Sequence, residues 1–306
     1  MNRFFRLLLI EAGCVQNSDM KRETTDIGQH WDLIIKPKTG WFDIHLGELW
    51  TYRDLIGMFV KRDFVTLYKQ TVLGPLWYFI QPLFTTIVFT IIFGKVAKIP
   101  TDKIPPFIFY MSGTVIWAYF SACLSKTSDT FNTNARIFGK VYFPRLTVPI
   151  SSVIISLLQF SIQFLLFLAF YFYFKNKGAP IHSGIWILAL PILLIQMALL
   201  GLGIGILVSS LTTKYKDLRI VMGFITQLWM YGTPIVYPLS LVPDWLRPWY
   251  VLNPMVAVVE SFRYAFLGSA TIQWSYVGVS WLVTIFMLFL GIVMFNRIEK
   301  TFMDTV

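Results

Sequence analysis

No Asp or Glu stands at the centre of any of six long apolar stretches, residues 76–93, 107–124, 146–171, 185–211, 220–237 and 274–295. Ion-coupled carriers use intramembrane ionisable groups as relays, and membrane enzymes need acids, bases or metal ligands, so both classes are disfavoured. His30, His45 and His182 are the only histidines, and they lie far apart with no metal-ligand spacing. Cys14 and Cys123 are the only cysteines. Both fall on or near the side assigned below to the cytoplasm, so no disulfide is implied. A Gly-x-x-x-x-Gly-Lys-Ser/Thr run is missing throughout, so the chain does not bind ATP by that motif and any energy must arrive from another polypeptide. Internal repeats and low-complexity segments are missing too.

What is present is apolar surface. Hydrophobic residues make up 56% of the chain and aromatics 17%, whereas charged residues make up only 14%. Crossing the hydrocarbon core takes ~20 helical residues, because the backbone finds no water there, and all six stretches are within reach of that length. A buried helix of a soluble protein would carry a polar face at helical spacing; several of these stretches are apolar or aromatic all round. The fold class expected is all-α integral membrane, with six transmembrane helices.

An even number of spans puts both termini on one side. That side collects nineteen Lys and Arg residues, against seven on the other (Lys95, Lys98, Lys103, Lys175, Lys177, Arg247 and Arg263). The excess places both termini in the cytoplasm. The formal net charge of +10 is then explained by topology and attraction to anionic headgroups. No nucleic-acid motif accompanies it. The first fourteen residues end in Ala12-Gly13-Cys14, but Arg6 and Glu11 interrupt a run too short for a signal peptide.

Four regions follow: an N-terminal cytoplasmic segment (1–45), an amphipathic interface helix with its connecting loop (46–75), the six-span domain (76–296) and a cytoplasmic tail (297–306). Leu49, Tyr52, Ile56, Phe59, Val60, Phe64 and Leu67 recur at steps of three and four, with Arg53, Asp54, Lys61 and Arg62 elsewhere on the wheel. Such a helix beside a span lies in the membrane interface with its apolar face down. Residues 244–268, interrupted by Pro248 and Pro254 and carrying Trp245, Trp249 and Tyr250, fit a pair of short re-entrant helices before the last span. Glu260 and Arg263, three apart, would neutralise each other there. The third span is longer than one crossing needs and extends into the cytoplasm.

Aromatic residues cluster at span ends. Trp77, Tyr78, Trp229 and Tyr231, near Gly and Pro breaks, fit a channel lining and an interfacial belt equally well. Lys61, Arg62 and Lys69 lie at the depth of phosphate headgroups, where they suit either lipid-diphosphate recognition or ordinary anchoring to anionic lipid.

Several motifs point together. The run Tyr52-Arg53-Asp54-Leu55, then Lys61-Arg62-Asp63-Phe64, then Tyr68-Lys69-Gln70-Thr71-Val72-Leu73-Gly74-Pro75-Leu76-Trp77 resembles the interface helix and first-span junction of permease subunits of type-2 ABC exporters. Within them it is similar to the polysaccharide and O-antigen (lipopolysaccharide) export branch. Asn134 with Lys140-Val141-Tyr142-Phe143-Pro144-Arg145 and Pro149 is similar to that family's segment between spans two and three. Tyr215-Lys216-Asp217-Leu218-Arg219, Thr233-Pro234-Ile235-Val236-Tyr237-Pro238 and Asn253-Pro254 resemble its fifth span and the break between its re-entrant helices. Lys216 stands where the family often has Arg.

The resemblance covers about residue 49 to the C-terminus. It implies a homodimer with two separate ATP-binding cassette subunits that hold ATP and Mg, the chain itself carrying no cofactor, metal or catalytic site. It further implies a channel along the dimer axis lined by the first and fifth spans, where Trp77, Tyr78, Trp229 and Tyr231 are the candidates. A cytoplasmic coupling helix at about 128–139 would dock into the ATPase, with Phe131, Asn134, Ile137 and Phe138 as candidate contacts. The substrate implied is an undecaprenyl-diphosphate-linked polysaccharide, O-antigen foremost, leaving the bacterial cytoplasm through the inner membrane among its lipids. Teichoic acid, capsule or small-molecule export by the same superfamily is the alternative. A membrane-embedded lipid-modifying enzyme is the reading from another class, and the lack of intramembrane acid–base groups argues against it.

Overall fold

A computed structural model describes residues 46–69, 74–138, 140–141, 143–182, 184–215, 217–269 and 272–305. The expectations for residues 1–45, and those resting on Gln70, Tyr142 and Lys216, lie outside the described residues. Those residues form helices joined by turns, with no strand among them.

α1 (Leu46–Thr51) and α2 (Arg53–Lys69) share the amphipathic run, separated by a turn at Tyr52. Tyr52, Leu55 and Phe59 turn inward and join a cluster with Phe131, Phe138, Phe143, Val148, Ile206 and Phe295. The apolar side of α2 thus packs on protein, with Met58 and Phe64 left exposed along its length.

Among the described residues five helices are long and apolar enough to cross a bilayer: Trp77–Val96, Pro106–Ser128, Thr147–Asn176, Ile185–Thr212 and Trp274–Ile298. The first comprises α3 (Trp77–Phe89), which contains Pro82, and a wider π-helical continuation over Thr90–Val96. Next come α4 (Pro106–Ser128), α5 (Thr130–Phe138) and α6 (Thr147–Asn176). A 3-10 turn at Ile185–Ala189 leads into α7 (Leu190–Thr212). α4 is the hub: 78% of its apolar window is buried, against 17–33% in the other four. A helix apolar all round can be buried all round. The outer helices instead expose Phe84, Ile91, Leu165, Ile192, Leu282 and Phe286, an apolar surface suited to lipid.

The stretch 220–237 is not one long helix. α8 (Leu218–Tyr231) has 14 residues, ~21 Å at 1.5 Å per residue, against a hydrocarbon core of ~30 Å. Gly232 ends it, and irregular chain runs on through Thr233, Pro234 and Tyr237. Helix length alone therefore gives five crossings.

α9 (Arg247–Leu252) and α10 (Pro254–Leu267) occupy the segment expected to form two short helices. Asn253 starts α10 by accepting the Met255 N–H on its side-chain oxygen at 3.1 Å, with Pro254 in the first position, where its missing N–H costs nothing. Gly268 ends it with φ +67, and a Cβ there would lie 2.7 Å from the His182 carbonyl oxygen. Between these caps α10 is mostly buried.

α11 (Trp274–Thr305) runs along α7 at unusually short range. A Cβ on Gly203 would come within 2.6 Å of the Leu288 Cα, and one on Gly291 would strike the Gly203 carbonyl oxygen. Small residues permit this approach, and between membrane helices close packing supplies much of the attraction.

Candidate functional site

α5 follows α4 after Asp129 alone. Phe131 stacks on Phe295 with ring centroids 4.7 Å apart, and its N–H donates to Ser209 Oγ at 3.2 Å. Phe138 packs edge-on against Phe131 at 5.8 Å. Asn134 is buried, its amide donating to the Thr130 carbonyl at 3.1 Å. Ile137 is half-buried. Phe131, Asn134 and Phe138 are thus occupied within the chain itself, correcting the expectation that Phe131 and Phe138 were available as anchors for another protein. The reason is physical: a nine-residue helix with one apolar side is met here by Phe59, Phe143, Ile206 and Phe295. The side turned outward carries Asn132, Thr133 and Arg136. Beside it, Arg219 Nε meets Asp129 Oδ1 at 2.9 Å and ties the α4–α5 junction to the start of α8.

Lys61, Arg62 and Lys69 are all exposed on α2. Arg62 Nε meets Asp63 Oδ1 at 2.8 Å, and its guanidinium lies over the Phe59 ring at 4.9 Å. It borders a cleft of about 330 Å³ whose wall also holds Lys126, Thr66, Thr133 and Ser152. No sequence pattern points to Lys126, which reaches this cleft only through the packing of α2. Asp63 and Asp129 balance its charge.

The four aromatic candidates divide. Trp77 and Tyr231 are exposed at 51% and 46%. The Tyr78 hydroxyl accepts from the Gln159 amide at 2.7 Å and borders a cavity between α3, α4 and α6. Trp229 is structural: it packs against Phe120 at 5.1 Å and Trp117 at 6.3 Å, and its Nε1 donates to Asn253 Oδ1 at 2.9 Å.

Asn253 and Arg263 hold the chain that leaves α8. The Asn253 amide donates to the Gly232 carbonyl and to Thr233 Oγ1, both at 3.1 Å. Arg263 is only 1% exposed. It donates to the carbonyls of Pro234 and, at 2.7 Å, Ile235, and approaches Glu260 at 3.5 Å. Its guanidinium also lies 3.8 Å from the Phe109 ring centroid. Counted from sequence as an outer cation beside Glu260, Arg263 is an internal cap on irregular backbone. Among the described residues no group of His, Cys, Asp and Glu could hold a metal ion.

A model of the ABC-2 type transporter family matches residues 54–267. The chain belongs to this family. The match runs from α2 to the end of α10, so it takes in the Arg62 cleft, α5, the α3–α4–α6 cavity and the Arg263 cap. Over 252 residues the chain is 26% identical to the O-antigen export system permease protein RfbA of Klebsiella pneumoniae, covering 82% of this chain and 94% of the relative. The Myxococcus xanthus protein of the same name is 26% identical over 226 residues, 72% of this chain and 82% of the relative. The capsule polysaccharide export inner-membrane protein CtrC of Neisseria meningitidis serogroup A is 22% identical over 263 residues, 83% and 95% of the two chains. With five apolar helices of crossing length, this ABC-2 chain is a multi-pass membrane protein.

Proposed function

We propose that this chain is the membrane subunit of an ATP-driven exporter that carries a lipid-linked polysaccharide, O-antigen foremost, across the bacterial inner membrane. The observation that carries it is similarity over most of both chains to permeases named for O-antigen export. The capsule-export relatives keep a capsular polymer as the second reading. Two copies of the chain would enclose the channel, and two ATP-binding cassette subunits would supply ATP and Mg.

A sixth crossing is supported by the backbone caps. Non-helical chain is tolerated at membrane depth where protein satisfies its polar groups. Asn253 and Arg263 do this for Gly232, Pro234 and Ile235, so α8 and residues 232–238 together complete the span that α8 is too short to make. Six crossings restore both termini to the cytoplasm. Single cysteines replacing Lys140 and Lys214 should react with an impermeant thiol reagent only from the inside, and those replacing Lys103 and Lys175 only from the outside. Labelling at position 103 from the inside alone would overturn this topology.

α5 would be the coupling helix, offering Asn132, Thr133 and Arg136 to the ATPase, with Ile137 at the margin. Arg136→Glu should lower co-purification of the ATP-binding subunit at least tenfold while the chain still inserts. Unchanged co-purification together with unchanged stimulated ATP hydrolysis would remove α5 from the contact.

At the other face of this region, Arg62 and Lys69 would meet the diphosphate of the carrier lipid at headgroup depth. Reversing both charges should cut export several-fold without loss of the protein from the membrane. Normal export would leave these residues as lipid anchors only.

A further inference from the structure

The spans carry no charge at their centres, yet three of them are not uniformly apolar. Tyr78, Gln81, Pro82 and Thr85 recur on α3 at helical spacing. Thr114, Trp117, Ser121 and Ser125 do so on α4, and Ser156, Gln159, Phe160 and Gln163 on α6. At these steps each set shares one helix face, and the three faces converge on one cavity of about 380 Å³ within a single copy of the chain. That lies in the range of small-ligand sites, roughly 300–1,000 Å³. Every residue lining it is uncharged.

Gln163 carries the argument further. It is 9% exposed, and among the described residues its amide makes no hydrogen bond to the protein, although it lines the cavity. Its neighbours are served locally: Gln159 donates to Tyr78, and Ser156 and Ser121 donate to carbonyls of their own helices. Gln81 on the exposed rim and Gln163 in the buried wall are therefore the amides left with a donor and an acceptor for whatever occupies the space.

The chemistry of the wall selects the occupant. Without a cation it gives a diphosphate nothing to pair with, and without a carboxylate it gives a metal ion or an amine nothing. An acyl chain would leave the Gln81 and Gln163 amides without a partner. A neutral sugar ring matches both halves of the lining. Its hydroxyls exchange hydrogen bonds with amides that donate and accept, while its C–H faces pack on Tyr78, Trp117, Tyr119 and Phe160.

We infer that this cavity is a saccharide site within each copy of the chain, holding a neutral sugar unit of the transported polymer, with Gln163 as its principal hydrogen-bonding group. The inference rests on the polysaccharide-export reading. The site lies along the first part of α3, the middle of α6 and the second half of α4, and opens toward the side proposed to face the cytoplasm, where the polymer would enter.

The test uses the full transporter in lipid nanodiscs and an oligosaccharide released by mild acid from the host's own polymer. Saturation-transfer NMR should show magnetisation passing from wild-type protein to sugar ring protons. Gln163→Leu should reduce that signal at least tenfold, whereas Ser161→Leu, an exposed position on the same helix, should leave it unchanged. Gln159→Leu provides a second variant if Gln163→Leu is not recovered folded. No signal with wild type, meaning water alone fills the cavity, would overturn the site, as would wild-type signals in both the Gln163 and the Gln159 variants. A signal seen only from a dihexosyl glycolipid in the nanodisc would overturn the polymer as occupant. Failure of the export reading is separately visible: deleting the gene would then leave surface polysaccharide intact. If deletion blocks export but both glutamine variants bind and export normally, the site alone falls.

Discussion

Arg263→Met should yield a protein that melts far below wild type in detergent and is recovered poorly from the membrane. Arg263 is buried against the Phe109 ring and donates to the carbonyls of Pro234 and Ile235 while facing Glu260. Methionine would leave those carbonyls without this donor and the buried carboxylate without its partner. Breaking a buried ion pair from one side costs about 3–5 kcal/mol, a large part of a total stability on the order of 5–15 kcal/mol. The double substitution Arg263→Met with Glu260→Gln should recover part of the loss, since it removes the uncompensated charge. A wild-type melting profile for the single variant would show that Arg263 does not hold the segment after α8.

Replacing Trp77, Tyr78 and Tyr231 together with alanine should abolish polymer export while the ATP-binding partner continues to hydrolyse ATP. A moving polymer needs a surface that holds sugars weakly and repeatedly. Each aromatic contact is worth about 0.5–1.5 kcal/mol, so three lost together weaken retention by roughly one to three orders of magnitude. Single replacements should cost only a few-fold. Trp229 is set apart, because its contacts with Trp117, Phe120 and Asn253 make Trp229→Ala a stability change. Normal export by a well-folded triple variant would assign the three residues to the membrane belt.

Hydropathy made most of the fold legible, because a lipid-spanning helix must be both long and apolar. It did not reveal where 220–237 stops being helical. Gly232 and Pro234 are visible in sequence, but the side chains that satisfy their carbonyls come from Asn253 and Arg263, some twenty to thirty residues away. α5 shows a similar limit. A helical wheel separates Phe131 and Phe138 from Asn132 and Arg136 without telling which side meets the chain's own core, and Phe295 lies more than 150 positions further on. The polar stripe through Gln159 and Gln163 was present at steps of three and four. Amides carry no charge, so such a stripe does not stand out within an apolar span. The place of Lys126 beside Arg62 depends on how α2 packs, which no local pattern encodes.

Deleting the gene in its own host and supplying it again in trans tests the central claim most directly, with lipid-linked polysaccharide quantified on each side of the inner membrane. The account predicts that the deletion strain still makes the polymer but retains it, lipid-linked, on the cytoplasmic side. Wild-type chain should restore surface polymer, and only while the partner ATPase can hydrolyse ATP. Surface polysaccharide at wild-type level in the deletion strain, or its full restoration without ATP hydrolysis, would contradict it.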